Sequence, residues 1–189
     1  MEISIDGTRF HERLSNLRDN WLQHLDERWE NCGALCIPMG AASETDVYSK
    51  SSALHLYLMG YEFPDSIIVI TKTAFYFMAA QKKCNYLQSV VSVAGPGDLK
   101  VTLLPKSKDE MLNREHFRTL LQTVKSSGKK LGTLLKASFN GEFVPSWVSF
   151  VETNLVESVE ISSALGLFFS VKLDSELVGD SWFNLACAL

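Results

Sequence analysis

Cysteine is scarce, with 4 in 189 residues, and its placement at Cys32, Cys36, Cys84 and Cys187 forms no disulfide framework. A structural zinc site wants two close cysteine pairs, or one pair followed by spaced histidines, and neither spacing occurs. The four thiols therefore read as reduced, mostly buried small hydrophobes. Long apolar runs are missing too. The longest, around 52–59, is interrupted by His55 and falls short of the roughly 18 residues that a membrane span needs. The opening Met1-Glu2-Ile3-Ser4-Ile5-Asp6-Gly7 lacks the basic-then-apolar profile of a secretory signal. There is no internal repeat, low-complexity stretch or long linker. What is present is a globular composition: 46% hydrophobic residues, with 11 Phe and 4 Trp. A chain of this length suits one domain and can bury roughly 70% of its unfolded surface without a staple. The expectation is a soluble intracellular domain.

Catalytic templates are absent as well. His11-Glu12 has Ser15 where a zinc-protease helix would place its second histidine. Gly128-Lys129 has Thr123 where a phosphate loop would carry glycine, and it follows a helix-like segment instead of a strand. Gly95-Pro96-Gly97 lacks a third glycine, and no Gly-x-Ser-x-Gly elbow exists. His11, His24, His55 and His116 all fall in predicted helices and share no metal spacing. Asp26-Glu27 and Asp109-Glu110 are adjacent in sequence and so point apart on a helix. Nothing assembles a nucleophile, a base and an oxyanion hole. No catalytic residue, metal ligand or cofactor site is expected.

Net charge is −4, unevenly spread. Residues 1–30 sum to −3, residues 31–99 to −1, residues 100–136 to +6 and residues 137–189 to −6. In the basic stretch, Lys125, Lys129 and Lys130 lie near a helix C-terminus, where cations are expected for the dipole alone, and no RNA-binding motif accompanies them. Direct DNA binding is not expected. In the acidic stretch, Glu142, Glu152, Glu157, Glu160, Asp174 and Glu176 are the candidates for a patch that attracts a basic protein by steering and exposed ion pairs.

The order of elements follows from periodicity and breakers. Asp6 caps a long helix whose stripe is Phe10, Leu14, Leu17, Trp21, Leu25 and Trp29. Gly33–Ile37 reads as a buried strand ended by Pro38. Ser51 or Ser52 caps a helix over 53–59 that is apolar on nearly every side, must lie inside the fold, and stops at Gly60. Its His55 is expected to be a hydrogen-bonded core residue. Ile67–Ile70 and Phe75–Met78 form a hairpin across Thr71-Lys72-Thr73, followed by a short helix from Gln81 to about Val90. Lys100–Leu104 is a strand closed by Pro105. Asn113 caps a helix that turns Phe117, Leu120, Leu121 and Val124 inward. Leu131–Leu135 and Val156–Ile161 are strands. Pro145–Val151 lies in a helix, and Ser162 caps a last helix to about Ser170. Alternating strands and helices with one hairpin imply an α/β fold: a mixed β-sheet covered by helices on both faces.

One segment carries a resemblance. Leu54-x-Leu56-Tyr57-Leu58-Met59-Gly60-Tyr61-Glu62-Phe63-Pro64-Asp65-Ser66-Ile67-Ile68-Val69 resembles the N-terminal lobe of the large subunit of FACT, the histone chaperone that facilitates chromatin transcription. Gln81-Lys82-Lys83, Phe139-Asn140-Gly141-Glu142-Phe143-x-x-Ser146-Trp147, and Val159–Ser163 preceding Val171-Lys172-x-Asp174-x-Glu176-Leu177 are similar to the same family in the same order. The likeness runs from residue 5 to about 178. It implies the amino-terminal lobe of the creatinase and aminopeptidase P architecture. In peptidase relatives the metal ligands sit in a following pita-bread lobe, and in the chaperone that lobe is inactive.

The resemblance thus implies a non-catalytic histone-chaperone module, nuclear and chromatin-associated. It would bind core histones, or replication and transcription proteins, in nucleosome disassembly and reassembly, and meet a small HMG-box-type subunit through other parts of the full protein. The alternative is the N-terminal lobe of an active aminopeptidase P or creatinase-type metallohydrolase. Physically, Gly60 stops the buried helix, Pro64 extends Phe63, Tyr61 and Phe63 pack, and Glu62 bonds backbone donors of the turn. The domain is expected over 1–178. Residues 179–189 depart from the family as a divergent apolar tail or the start of an inter-lobe segment, and Trp182, Phe183 and Leu185 are expected to pack on this domain or a neighbouring chain.

Overall fold

The computed structural model describes residues 3–42, 49–93, 95 and 99–170. In chain order the elements are α1 (Gly7–Gln23), β1 (Cys32–Met39), α2 (Lys50–Met59), β2 (Ser66–Ile70), β3 (Ala74–Ala80), α3 (Gln81–Tyr86) and α4 (Gln88–Val91). There follow β4 (Lys100–Lys106), α5 (Glu110–Ser126), β5 (Lys130–Thr133), α6 (Phe143–Thr153), β6 (Ser158–Glu160) and α7 (Ser162–Ser170). The strands form one mixed sheet in the order β4-β3-β2-β1-β5-β6. The pairs β1–β2 and β2–β3 are antiparallel, and β3–β4, β1–β5 and β5–β6 are parallel.

The period of two along each strand divides the core. Leu35, Ile37, Ile68, Ile70, Phe75 and Phe77 face one side and join Phe10, Leu14, Leu17 and Trp21 of α1 and Leu54 and Leu58 of α2. Ala34, Cys36, Ile67, Val69 and Met78 face the other and meet Phe117, Leu120 and Val124 of α5 and Val144 and Trp147 of α6. Both faces are covered by helices, as the element pattern requires. Across the second interface the Trp147 indole N–H donates to Cys36 Sγ at 3.3 Å. Burial pushes the Cys36 thiol up to about 12, so it packs as a hydrophobe and is not a nucleophile. Cys32 and Cys84 are also buried and free, while Cys187 lies outside the described residues. Among the described residues, no helix is long and apolar enough to cross a membrane.

Several sequence boundaries move, for identifiable reasons. Pro38 lies inside β1. Its carbonyl accepts from Ser51 Oγ at 2.6 Å and so points away from β2, and on that flank β5 has already ended, at the Cys36–Thr133 pair. The N–H that proline lacks would have had no strand to meet. Pro105 lies inside β4 because β4 is an outer strand with one unladdered flank. Ser49, not Ser51 or Ser52, caps α2, since Ser51 is turned to Pro38. Asp109, not Asn113, caps α5, and the Asn113 side chain instead ties down Ser107 through its N–H and its carbonyl.

The α1 stripe also outruns its helix. His24 is the C-cap of α1, outside the helix proper. The chain then turns through left-handed Glu30 and Asn31, φ 50° and 55°. Trp29 still enters the core fully buried, its indole N–H reaching Asn20 Oδ1 at 3.4 Å.

Candidate partner-binding surface

The segments that are distant in sequence but family-like meet at the carboxyl end of β1. Gly60 takes φ 74°, ends α2, and turns the chain toward β2. Phe63 is then buried against Phe77 and Tyr86, with ring centroids 5.9 and 6.3 Å away. Its N–H donates to His55 Nδ1 at 3.1 Å, so the all-apolar helix carries His55 to satisfy this turn. Glu62, expected to hold the turn's donors, is exposed instead, because His55 takes that role from inside the fold. Tyr61 is partly buried against the core.

Asp65 joins the next segment. Its N–H donates to Gly40 O at 2.7 Å, and Lys106 Nζ lies 2.6 Å from its Oδ2. Lys106 also sits 4.5 Å from the centre of the Phe143 ring, a cation–π contact. Lys83, of the Gln81-Lys82-Lys83 segment, donates to Pro64 O. Burial holds the Lys83 ammonium below its ordinary range, partly offset by Asp65. Ala41 N–H donates to Asn140 O at 2.8 Å, and a Cβ on Gly141 would stand 3.0 Å from Ala41 Cβ. The segments 60–65, 81–83 and 139–143 are therefore one contiguous structure. Lys106 gave no signal in the sequence, being brought in by strand pairing alone.

Beside this junction a cleft of about 510 Å³ opens beyond the carboxyl ends of the parallel strands β1 and β5, where open α/β sheets commonly bind ligands. Apolar Met39, Leu134 and Phe139 and charged Lys50, Glu62 and Lys136 contribute to its lining. The helices that begin here are already capped by their own chain. Ser49 Oγ accepts from Ser52 N–H at 3.1 Å, and Glu160 accepts from Ser162 N–H and Lys136 N–H, each at 2.8 Å.

The acidic candidates separate into distinct roles. Glu160 is half-buried and committed to those backbone donors and to the Ser162 hydroxyl at 2.5 Å. Burial opposes its ionisation, but the hydrogen bonds from Ser162 and Lys136 outweigh that and hold the carboxyl below its usual range. Glu157 pairs with Lys130 Nζ at 2.9 Å. Glu142 and Glu152 are exposed at opposite ends of α6, about 15 Å apart along the axis at the usual helical rise. Asp174 and Glu176 lie outside the described residues, as do Trp182, Phe183 and Leu185.

The lysines are divided in the same way. Lys129 donates to Asn31 Oδ1 and Lys130 is held by Glu157, leaving Lys125 exposed at the end of α5. Among the described residues, no three His, Cys, Asp or Glu side chains gather into a metal site.

A mixed six-stranded sheet between two helical layers, with β1 central and a cleft at its carboxyl end, is an architecture shared with aminopeptidase P-type structures. The X-Pro aminopeptidase of Thermotoga maritima has this fold at a TM-score of 0.52 and 16% identity, over 85% of this chain and 37% of that one. The chain belongs to the FACT complex subunit SPT16 N-terminal lobe domain family, whose model matches residues 5–164.

FACT complex subunit spt16 of Emericella nidulans is 34% identical over 195 residues, covering 99% of this chain and 18% of that protein. The Arabidopsis thaliana subunit SPT16 is 31% identical over 183 residues, 93% of this chain and 17% of that protein. The SPT16 N-terminal domain of Eremothecium gossypii superposes with a TM-score of 0.82 at 28% identity, over 93% of this chain and 40% of that one. The chain thus spans less than a fifth of the length of these full-length relatives. Its fold is shared with the Thermotoga maritima aminopeptidase, and its family is that of a FACT complex subunit.

Proposed function

We propose that this chain is a histone-binding module of a FACT-type chaperone, acting in the nucleus on chromatin. It binds core histones at sites otherwise taken by DNA, and so helps nucleosomes open and reassemble without hydrolysing ATP. Replication and transcription proteins are further partners of the same surface, and an HMG-box-type subunit meets the full protein elsewhere. The observation that carries this reading is the convergence of segments 60–65, 81–83 and 139–143 beside a cleft that Glu62 lines while exposed. Glu62, Glu142 and Glu152 are exposed, and no ion pair with a described residue occupies them, so they are available to lysine and arginine side chains of a basic partner. Glu157 and Glu160 contribute field more than contact, being held by Lys130 and by the Lys136–Ser162 junction.

A titration of core histones into the chain across a salt series, with DNA as control ligand, tests the reading. Saturable histone binding near physiological salt, where the screening length is about 8 Å, supports it. DNA binding in place of histone binding refutes it.

A further inference from the structure

The basic segment has its own surface, on the face opposite α1 and α2. Arg114, Arg118 and Lys125 recur along α5 at steps of four and seven, which places them on one exposed stripe. Between this stripe and α6 runs an open groove of about 740 Å³, lined by Arg118, Leu121, Gln122, Lys125, Ser126, Phe150 and Asn154. No carboxylate lines it. Arg118 has Glu115 at 3.4 Å, but both side chains are about two-thirds exposed and such a pair exchanges readily. Apolar surface is present as well. Leu121 is buried, and Phe150 is half-buried, packed on Phe117 and stacked on Trp147 at 5.7 and 6.4 Å. At the α6 end, the turn after Asn154 holds Leu155 at φ 55° and 91% exposed.

We infer that the α5–α6 groove docks an acidic, amphipathic peptide segment of a partner protein. Its apolar residue covers Phe150, Leu121 and Leu155, and its carboxylates meet Arg118 and Lys125. Charge complementarity selects this occupant. The groove is cationic in a chain of net charge −4, so it repels the basic partner proposed for the opposite-signed carboxylates and attracts an acidic one. Amphipathic segments bind such interhelical grooves by apolar anchors at i, i+3 and i+4, with charged flanks setting orientation. Single-stranded nucleic acid fits less well. It wants a longer track of cations and open ring faces for stacking, whereas Phe150 is the one ring lining the groove and Trp147 stacks on it. The chain would then hold partners of opposite charge at the cleft and at this groove.

The test uses a fluorescein-labelled peptide of about 12 residues, rich in Asp and Glu with a central Phe, read by anisotropy against the whole chain. A Phe-to-Ser version of the peptide and a single-stranded oligonucleotide serve as comparison probes. Saturable binding is expected, weakened about tenfold by Arg118→Glu and by Lys125→Glu and unchanged by Lys72→Glu in the distant hairpin turn. The three sites are exposed, so circular dichroism should show one fold throughout. The Ser peptide should bind several-fold more weakly. Equal effects of all three charge reversals, indifference to the Phe, or binding of the oligonucleotide alone would overturn the proposal.

Discussion

Lys106 Nζ meets Asp65 Oδ2 at 2.6 Å, tying the outer strand β4 to the loop that leads into β2. Both side chains are less than a third exposed, at 30% and 28%, so solvent screens the pair only partly. Asp65 has φ 54°, a conformation that asparagine tolerates, so Asp65→Asn removes the charge without new backbone strain. Asp65→Asn and Lys106→Met should each cost about 1–2 kcal/mol in urea unfolding, with a double-mutant coupling of about 1 kcal/mol. Strict additivity would show that the pair contributes nothing.

His55 supplies a pH dependence. It is fully buried, and burial, reinforced by the Lys83 charge, lowers its pKa to about 3 from an ordinary value near 6.5. The folded state therefore keeps His55 neutral while the unfolded chain takes up a proton below about pH 6.5. Its contribution to stability is complete above that pH and is lost as pH falls toward 3, at about 1.4 kcal/mol per unit well below the unfolded pKa. His55→Gln should be less stable at pH 7.5, through the Phe63 N–H contact, yet lose less stability between pH 6 and 4.5. Urea titrations at the two ends of that window decide it; an unchanged slope would remove His55 as the cause.

Two glycines should respond differently to alanine. Gly60 has φ 74° with nothing within 4 Å of an added Cβ, so Gly60→Ala meets backbone strain alone and should cost about 1 kcal/mol, with Gly60→Asn costing less. Gly132 lies in β5 with ordinary φ, but a Cβ would come within 2.8 Å of Cys32 Sγ and 2.9 Å of Ile161 Cγ2. Gly132→Ala should cost about 1–3 kcal/mol by overpacking, and asparagine there should be worse than alanine. Thermal unfolding of the four variants separates strain from crowding.

Local signals carried much of the fold. The continuous apolar runs 67–70 and 75–78 around Thr71-Lys72-Thr73 mark a hairpin because both strands are central and buried on both faces. The all-round apolarity of α2 likewise reflects its position under the sheet. Boundaries failed where tertiary structure overrides a local rule. Pro38 and Pro105 break strands in general, but each lies where no neighbouring strand needs an N–H. Asn113 looks like a cap because its side chain does bond backbone, only that of Ser107.

The site was legible only in pieces. The motif containing Glu62 and Asp65 could be read from residues, but its junction with Lys106 spans 41 residues, and Asn140 joins it only through Ala41 and Gly40 at the end of β1. Formal charge marked Glu157 and Glu160 as equals of Glu142, and only the fold shows their carboxylates engaged by Lys130 and by the backbone N–H groups of Lys136, in a turn, and Ser162, at the start of α7.

Charge reversal at Glu62, Glu142 and Glu152 together, followed by histone titration at roughly 150 mM salt with duplex DNA as the comparison ligand, tests the central claim most directly. Contact with basic proteins predicts tight, saturable histone binding by the unaltered chain, a loss of about tenfold or more in the triple variant, and weaker binding to DNA. Histone affinity that survives the triple reversal, or a chain that prefers DNA, would contradict it.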